Sequence, residues 1–144
     1  MSPAPASVKL PRALSGLWLL TASLSVLAVP VLMVTVPYWH DVRHYLQQLG
    51  LWQTWVSIAV CVGLLVISRR KHAETEEAWA QGALLIFVMG GMLTGILLNY
   101  GVLPQWLVQP ASLIKTAQVL VLMVLHWGCA LQTWRCLRRF AQQV

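Results

Sequence analysis

Long apolar blocks alternate with short polar segments along the chain. The blocks cover residues 13–36, 51–68, 79–98 and 113–133, and charged residues, prolines or turn-forming residues separate them. About 20 apolar residues carry an α-helix across a hydrocarbon core roughly 30 Å thick. The pattern therefore predicts an all-α, polytopic membrane protein with four transmembrane helices in an up-down bundle.

The segments outside these blocks predict tails and connections. Residues 1–12 are rich in proline, alanine and serine and predict a disordered basic tail, and residues 141–144 predict a short C-terminal tail. The first block is about twice as long as the apolar region of a secretory signal, so we expect a retained membrane anchor, kinked at Pro30. The amphipathic, aromatic segment 38–50 predicts a position at the lipid headgroups, and the uncharged segment 99–112 predicts a loop.

Composition supports a single membrane domain. Hydrophobic residues make up 58% of the 144 residues and charged residues only 10%, whereas soluble domains carry roughly 25% charged residues. The cysteines form no C-x-x-C pair, and the basic residues form no stripe of the kind that binds nucleic acid. The chain also lacks G-x-S-x-G, H-E-x-x-H and phosphate-cradling motifs, which argues against a hydrolase or a nucleotide-dependent enzyme.

The distribution of basic residues predicts the orientation in the membrane. Eight of the ten Lys and Arg residues fall at one end of the predicted bundle, namely Lys9, Arg12, Arg69, Arg70, Lys71, Arg135, Arg138 and Arg139. The opposite end has only Arg43 and Lys115. Positively charged segments stay on the cytoplasmic side. We therefore expect both termini to be cytoplasmic, in a cytoplasmic membrane such as the bacterial inner membrane.

The last block carries polar residues on one helical face. Lys115 and His126 are eleven residues apart, which corresponds to three turns plus about 20° and to roughly 16 Å along a helix. Gln118, Cys129 and Thr133 fall close to the same face, among leucines and valines. Polar groups inside a membrane usually face the bundle interior, so this face is the candidate binding site.

Several roles are open for these residues. Lys115 can extend its ammonium group to the outer headgroups, and His126 can be a neutral imidazole bonded to a neighbouring helix, a proton carrier or a metal ligand. Haem b on His126 would need a second ligand, supplied by a cysteine, by His126 of a second copy, or by one of Met33, Met89, Met92 and Met123. Copper is the other candidate cofactor, because His126 and Cys129 are spaced i, i+3 and imidazole and thiolate both suit Cu(I).

Two further patterns lie outside this face. His40 and His44, spaced i, i+4 beside Asp41, could bind a divalent metal if their segment is helical, or they could be ordinary residues of the membrane interface. Gly91 and Gly95 form a G-x-x-x-G motif. Small residues at this spacing let two helices approach closely, so the motif predicts helix packing.

The residues from about 84 to 140 resemble a known pair of membrane helices. They comprise an apolar helix with a Leu93-Thr94-Gly95 step, a short loop, and a helix that begins Leu113-Ile114-Lys115, continues to His126 and ends in arginines. This arrangement is similar to the CopD-like copper-resistance membrane domain and to the related HemJ-type protoporphyrinogen oxidases. The resemblance implies a four-helix scaffold from a superfamily that handles copper or haem.

The sequence thus leads to three functional hypotheses. The first is a module that binds or transfers copper or haem inside the bundle, around Lys115, Gln118, His126 and Cys129, without a catalytic residue. The second is a non-catalytic accessory or assembly subunit of a larger membrane complex, and the third is a HemJ-like oxidoreductase. The expected partners are the lipid bilayer and either a second copy of the chain or a larger membrane complex, with no nucleic acid.

Overall fold

The computed structural model describes residues 6–71 and 82–143. The described part contains helices and connecting turns but no strand. Its α-helices are α1 (Ala6–Thr35), α2 (Trp39–Lys71), α3 (Gly82–Ile96), α4 (Leu103–Val108) and α5 (Leu113–Gln143), and a π-helical turn (Leu97–Val102) joins α3 to α4.

Four helical stretches are long and apolar enough to cross a membrane. They are Lys9–Thr35, Trp39–Ile67, Leu84–Val108 and Leu113–Arg139. Packing closes the bundle into a ring, since α1 contacts α2 and α5, and α3 contacts the same two helices from the opposite side. The predicted all-α bundle with four membrane-spanning helices is confirmed.

The helices extend beyond the apolar blocks. Helix α1 begins at Ala6, inside the predicted tail, and continues through Pro30, while α5 runs on to Gln143. Helix α2 takes in the amphipathic segment 38–50 from Trp39 onwards. Its 33 residues span about 50 Å, so its ends project past a hydrocarbon core of about 30 Å. Residues 1–5 and 144 of the predicted tails lie outside the described residues, as does the connector 72–81.

The predicted loop 99–112 is largely helical. The π-helical turn, in which the Leu103 N–H bonds to the Leu98 carbonyl, leads directly into α4, and the remaining connection to α5 is short. Pro104 stands in the first turn of α4, where its missing N–H breaks no helical bond. Burial of Trp106 and Leu107 explains why this segment continues the third span and packs against the bundle instead of forming an open loop.

Two apolar clusters fill the bundle and leave a polar layer between them. One cluster contains Trp18, Ala22, Val60, Cys61, Leu64, Leu84, Val88, Ala130 and Leu137. The other lies nearer the α4 end and contains Val42, Leu46, Leu98, Leu103, Trp106, Leu107 and Val119. Along α2, α3 and α5, the positions between the clusters include Ser57, Gly91 and His126. The candidate site therefore lies in the middle of the bundle.

Accessibility of the bundle ends tests the predicted orientation. In a cysteine-free background, we expect Gln109→Cys, in the connection between α4 and α5, to react with a membrane-impermeant maleimide in intact cells. Gln143→Cys should react only after the membrane is opened, because the basic end is expected to be cytoplasmic. Labelling of Gln143→Cys alone in intact cells would reverse the predicted orientation.

Candidate functional site: a buried histidine hub

His126 lies in the polar layer and connects α5 to the other long helices. Its side chain is 4% exposed. Nδ1 lies 2.8 Å from the Gly91 carbonyl oxygen of α3, and Nε2 lies 3.4 Å from Trp18 Nε1 of α1. The Trp18 and His126 rings meet edge to face, with their centroids 5.7 Å apart. We call this group of contacts the histidine hub.

The partners of the imidazole define its tautomer. The Gly91 carbonyl can only accept a hydrogen bond, so Nδ1 carries the proton and donates it. The Trp18 indole can only donate, so Nε2 must present its lone pair. Both ring nitrogens are therefore used by protein groups, and the imidazole in this arrangement is neutral.

Helix α2 contributes Gln53 and Ser57, which complete the hub. The Gln53 amide nitrogen lies 3.3 Å and the Ser57 hydroxyl 3.4 Å from His126 Nε2. In one orientation the Gln53 amide nitrogen donates to Ser57. With its nitrogen and oxygen exchanged, the amide donates to the Thr21 carbonyl at 3.0 Å and accepts from Ser57, and this second orientation satisfies both polar atoms better. In both orientations the buried amide is bonded within the bundle.

Glycines on α3 make room for the hub. A Cβ atom on Gly91 would overlap the Trp18 ring, and a Cβ atom on Gly95 would lie 2.9 Å from Cε1 of His126. Both glycines of the G-x-x-x-G motif therefore face the hub. The close approach of α3 also brings the Gly91 carbonyl within hydrogen-bonding distance of the imidazole.

The other residues of the predicted polar face separate in the structure. Lys115 is half-buried and donates from Nζ to the Gln109 side chain at 2.9 Å, near the start of α5. Gln118 is exposed, so its side chain does not point into the bundle. The prediction from its position on the polar face is wrong for this residue. Cys129 is half-buried against α3, where its Sγ lies 3.6 Å from the Cβ position of Gly90. The bundle interior thus holds His126 without Lys115 or Gln118.

The two histidines at the start of α2 lie on the surface. Helix α2 starts at Trp39, so His40 and His44 are one turn apart, and both side chains are exposed. The His44 ring packs edge to face on Tyr45, at 6.2 Å between centroids. Within residues 6–71 and 82–143, no group of three His, Cys, Asp or Glu side chains is arranged to hold a metal ion.

The hub does not suit a copper ion or a haem iron. Either would need an imidazole nitrogen as ligand, and binding at Nε2 would displace the Trp18 indole, while binding at Nδ1 would break the bond to Gly91. The space beside the ring is also filled, because Gly95 approaches it closely. The donor set is that of a hydrogen-bonded structural histidine.

Trp18, Gln53 and Ser57 were not among the residues predicted for the site. Each lies in a largely apolar block that also contains other polar residues, and only the fold brings it to His126. The i, i+4 spacing of Gln53 and Ser57 is a usable signal, since such a pair shares one face of a helix.

Comparison of the chain with family models, with curated proteins and with solved structures gives no match.

Proposed function

We propose that the protein is a non-catalytic accessory subunit of a larger complex in the cytoplasmic membrane. In this proposal the histidine hub fixes the arrangement of the four helices, and the outer face of α2 binds a transmembrane helix of a partner subunit. One observation carries the proposal. Trp52 and Trp55 project from the bundle at the depth of the hub.

The depth of the two tryptophans follows from their neighbour Gln53, which reaches His126 from the same helix. His126 lies about 16 Å along α5 from Lys115 and about 14 Å from Arg135, which are charged residues towards its two ends. The hub is therefore near the middle of the hydrocarbon core. Trp52 is 71% and Trp55 62% exposed at this depth.

Indole side chains prefer the headgroup region to the middle of a membrane, because the N–H finds no acceptor in hydrocarbon. The indoles of Trp18, Trp106 and Trp127 each donate to a side chain of the bundle. No such bond to a described residue is formed by Trp52 or Trp55. A partner helix with a hydrogen-bond acceptor at mid-depth would satisfy both indoles.

The surface below the tryptophans also suits a packed helix. Ala59, Val62 and Val66 continue the exposed stripe towards the basic end of α2. Steps of three and four residues keep these side chains on one face, and the small Ala59 allows close approach. The stripe thus combines two large side chains with one small residue that permits close helix approach.

Site-specific photo-crosslinking in native membranes tests the proposal. We expect a photoreactive residue at Ala59 to capture one partner polypeptide, and Trp52→Ala with Trp55→Ala to reduce the yield at least tenfold. The matched control is the same photoreactive residue at Leu24, which is 55% exposed on α1 and should give no discrete product. Capture of a second copy of this chain, or of lipid alone, would contradict the proposed role in a larger complex.

A further inference from the structure

The basic end of the bundle contains a second built feature, between α1 and α5. The Trp134 indole packs across Gly16, with Nε1 3.8 Å from the Cβ position of that glycine. The guanidinium of Arg138 lies over the Trp134 ring at 5.3 Å from its centroid. This contact brings α1 and α5 together and fixes one arginine at their junction.

A second arginine lies at the same level. Arg12 precedes Gly16 by one turn, and Arg138 follows Trp134 by one turn. Because the two helices run antiparallel, both steps lead in the same direction from the contact. Arg12 and Arg138 therefore stand side by side on neighbouring helices, and both are exposed. We call Arg12, Gly16, Trp134 and Arg138 the arginine cleft.

The charges near the cleft are unbalanced. The only acidic residue in the described ranges, Asp41, is at the opposite end of the bundle. By sequence, the basic end and its connector carry eight Lys or Arg residues against Glu74, Glu76 and Glu77, a net charge of +5. The other end, with Arg43, Lys115 and Asp41, has a net charge of +1.

The depth of the cleft identifies the kind of anion. Arg138 lies about 18 Å along α5 from His126, which is just beyond half the thickness of a core of about 30 Å. Phosphate groups of phospholipids lie at this depth. A guanidinium binds a phosphate through two parallel hydrogen bonds, and tryptophan is favoured at this boundary.

We propose that the arginine cleft binds the headgroup phosphate of an anionic phospholipid. Arg12 and Arg138 hold the phosphate from two helices, and Trp134 packs against the first acyl carbons. The lipid thereby offsets the repulsion between the two arginines and joins the start of α1 to the end of α5. Basic sites between transmembrane helices on the cytoplasmic side bind acidic headgroups in this way.

Thermal unfolding of the full chain in nanodiscs tests the proposal. We expect the midpoint of thermal unfolding to be about 4 °C higher in phosphatidylglycerol than in phosphatidylcholine. A shift of this size corresponds to about 1 kcal/mol of added stability. Arg12→Gln with Arg138→Gln should abolish this rise. The control variant is Arg43→Gln with Lys115→Gln, which loses the same charge at the other end of the bundle. This variant should keep the rise of the midpoint in phosphatidylglycerol.

Three results would overturn the proposal. An equal loss of the rise in the Arg43 and Lys115 control would assign the effect to overall charge. The same rise on adding inorganic phosphate to phosphatidylcholine nanodiscs would assign it to a free anion. A rise in phosphatidylglycerol that persists in full in the Arg12 and Arg138 variant would show that these arginines do not bind the headgroup.

Discussion

Replacing His126 with alanine should lower the free energy of unfolding by about 3 kcal/mol. The change removes the acceptor of the buried Trp18 indole and the donor to the Gly91 carbonyl. It also leaves a cavity between two apolar clusters. His126→Gln should cost only about 1 kcal/mol, because an amide can donate towards Gly91 and accept from Trp18. Unfolding by a denaturing detergent in mixed micelles measures both values.

The control for this experiment is His44→Ala, which removes an exposed imidazole and should change stability by less than about 0.5 kcal/mol. Visible spectra and metal analysis of the same samples test the rival cofactor hypotheses. A Soret band or bound copper that disappears in His126→Ala would contradict the structural role of the hub. Full stability of His126→Ala would contradict it as well.

The number of spans could be predicted because a membrane imposes it. Each crossing needs about 20 apolar residues, and four blocks of that kind stand out in the sequence. The helix ends could not be predicted in the same way. Polar residues such as Gln47 and Gln48 interrupt the apolar pattern of α2 although Val42 and Leu46 on its other face are buried.

The error over residues 99–112 has a related cause. Gly101, Pro104 and the lack of a continuous apolar run are typical of a loop, and they outweighed the apolar residues between them. The structure accommodates the proline by a change of helical register, with a π-helical turn before it. The burial of Leu103 and Trp106 depends on contacts with distant parts of the chain, which local pattern does not contain.

Of the polar residues in the histidine hub, only His126 could be predicted from the sequence. His126 is the imidazole that falls within an apolar block, and burial of such a group demands partners. The periodicity of α5 placed Lys115 and Gln118 on the same face as His126. A polar side chain near a helix end can instead turn towards the headgroups or a loop, and Lys115 turns towards Gln109 in this way. The true partners come from α1, α2 and α3, and only helix packing selects them.

Adding a single methyl group at Gly91 should be as harmful as removing the imidazole. The Cβ atom of Gly91→Ala would overlap the Trp18 ring, which is fully buried, and would also lie 3.1 Å from Cβ of Cys129. Neither neighbour can move without disturbing the hub, so α3 must shift away from α1 and α5. We expect a loss of about 3 kcal/mol in the same unfolding measurement.

Two glycines serve as matched controls. At Gly90, the next residue on α3, the new Cβ atom would make an ordinary contact of 3.6 Å with Cys129, and at Gly128 on α5 it would meet nothing within 4 Å. Gly128→Ala should leave stability unchanged or raise it by up to about 1 kcal/mol, because alanine is the better helix former.

Combining Gly91→Ala with Trp18→Phe tests why a side chain at position 91 is destabilising. The cause is either overlap with the Trp18 ring or a conflict with other neighbours. The overlap involves the six-membered ring of the indole, and phenylalanine withdraws those atoms. The double variant should therefore lose less stability than the two single variants together, by at least about 1 kcal/mol. Strict additivity would mean that Trp18 and Gly91 are not in contact. The hub would then not be held by the close approach of α3 to α1.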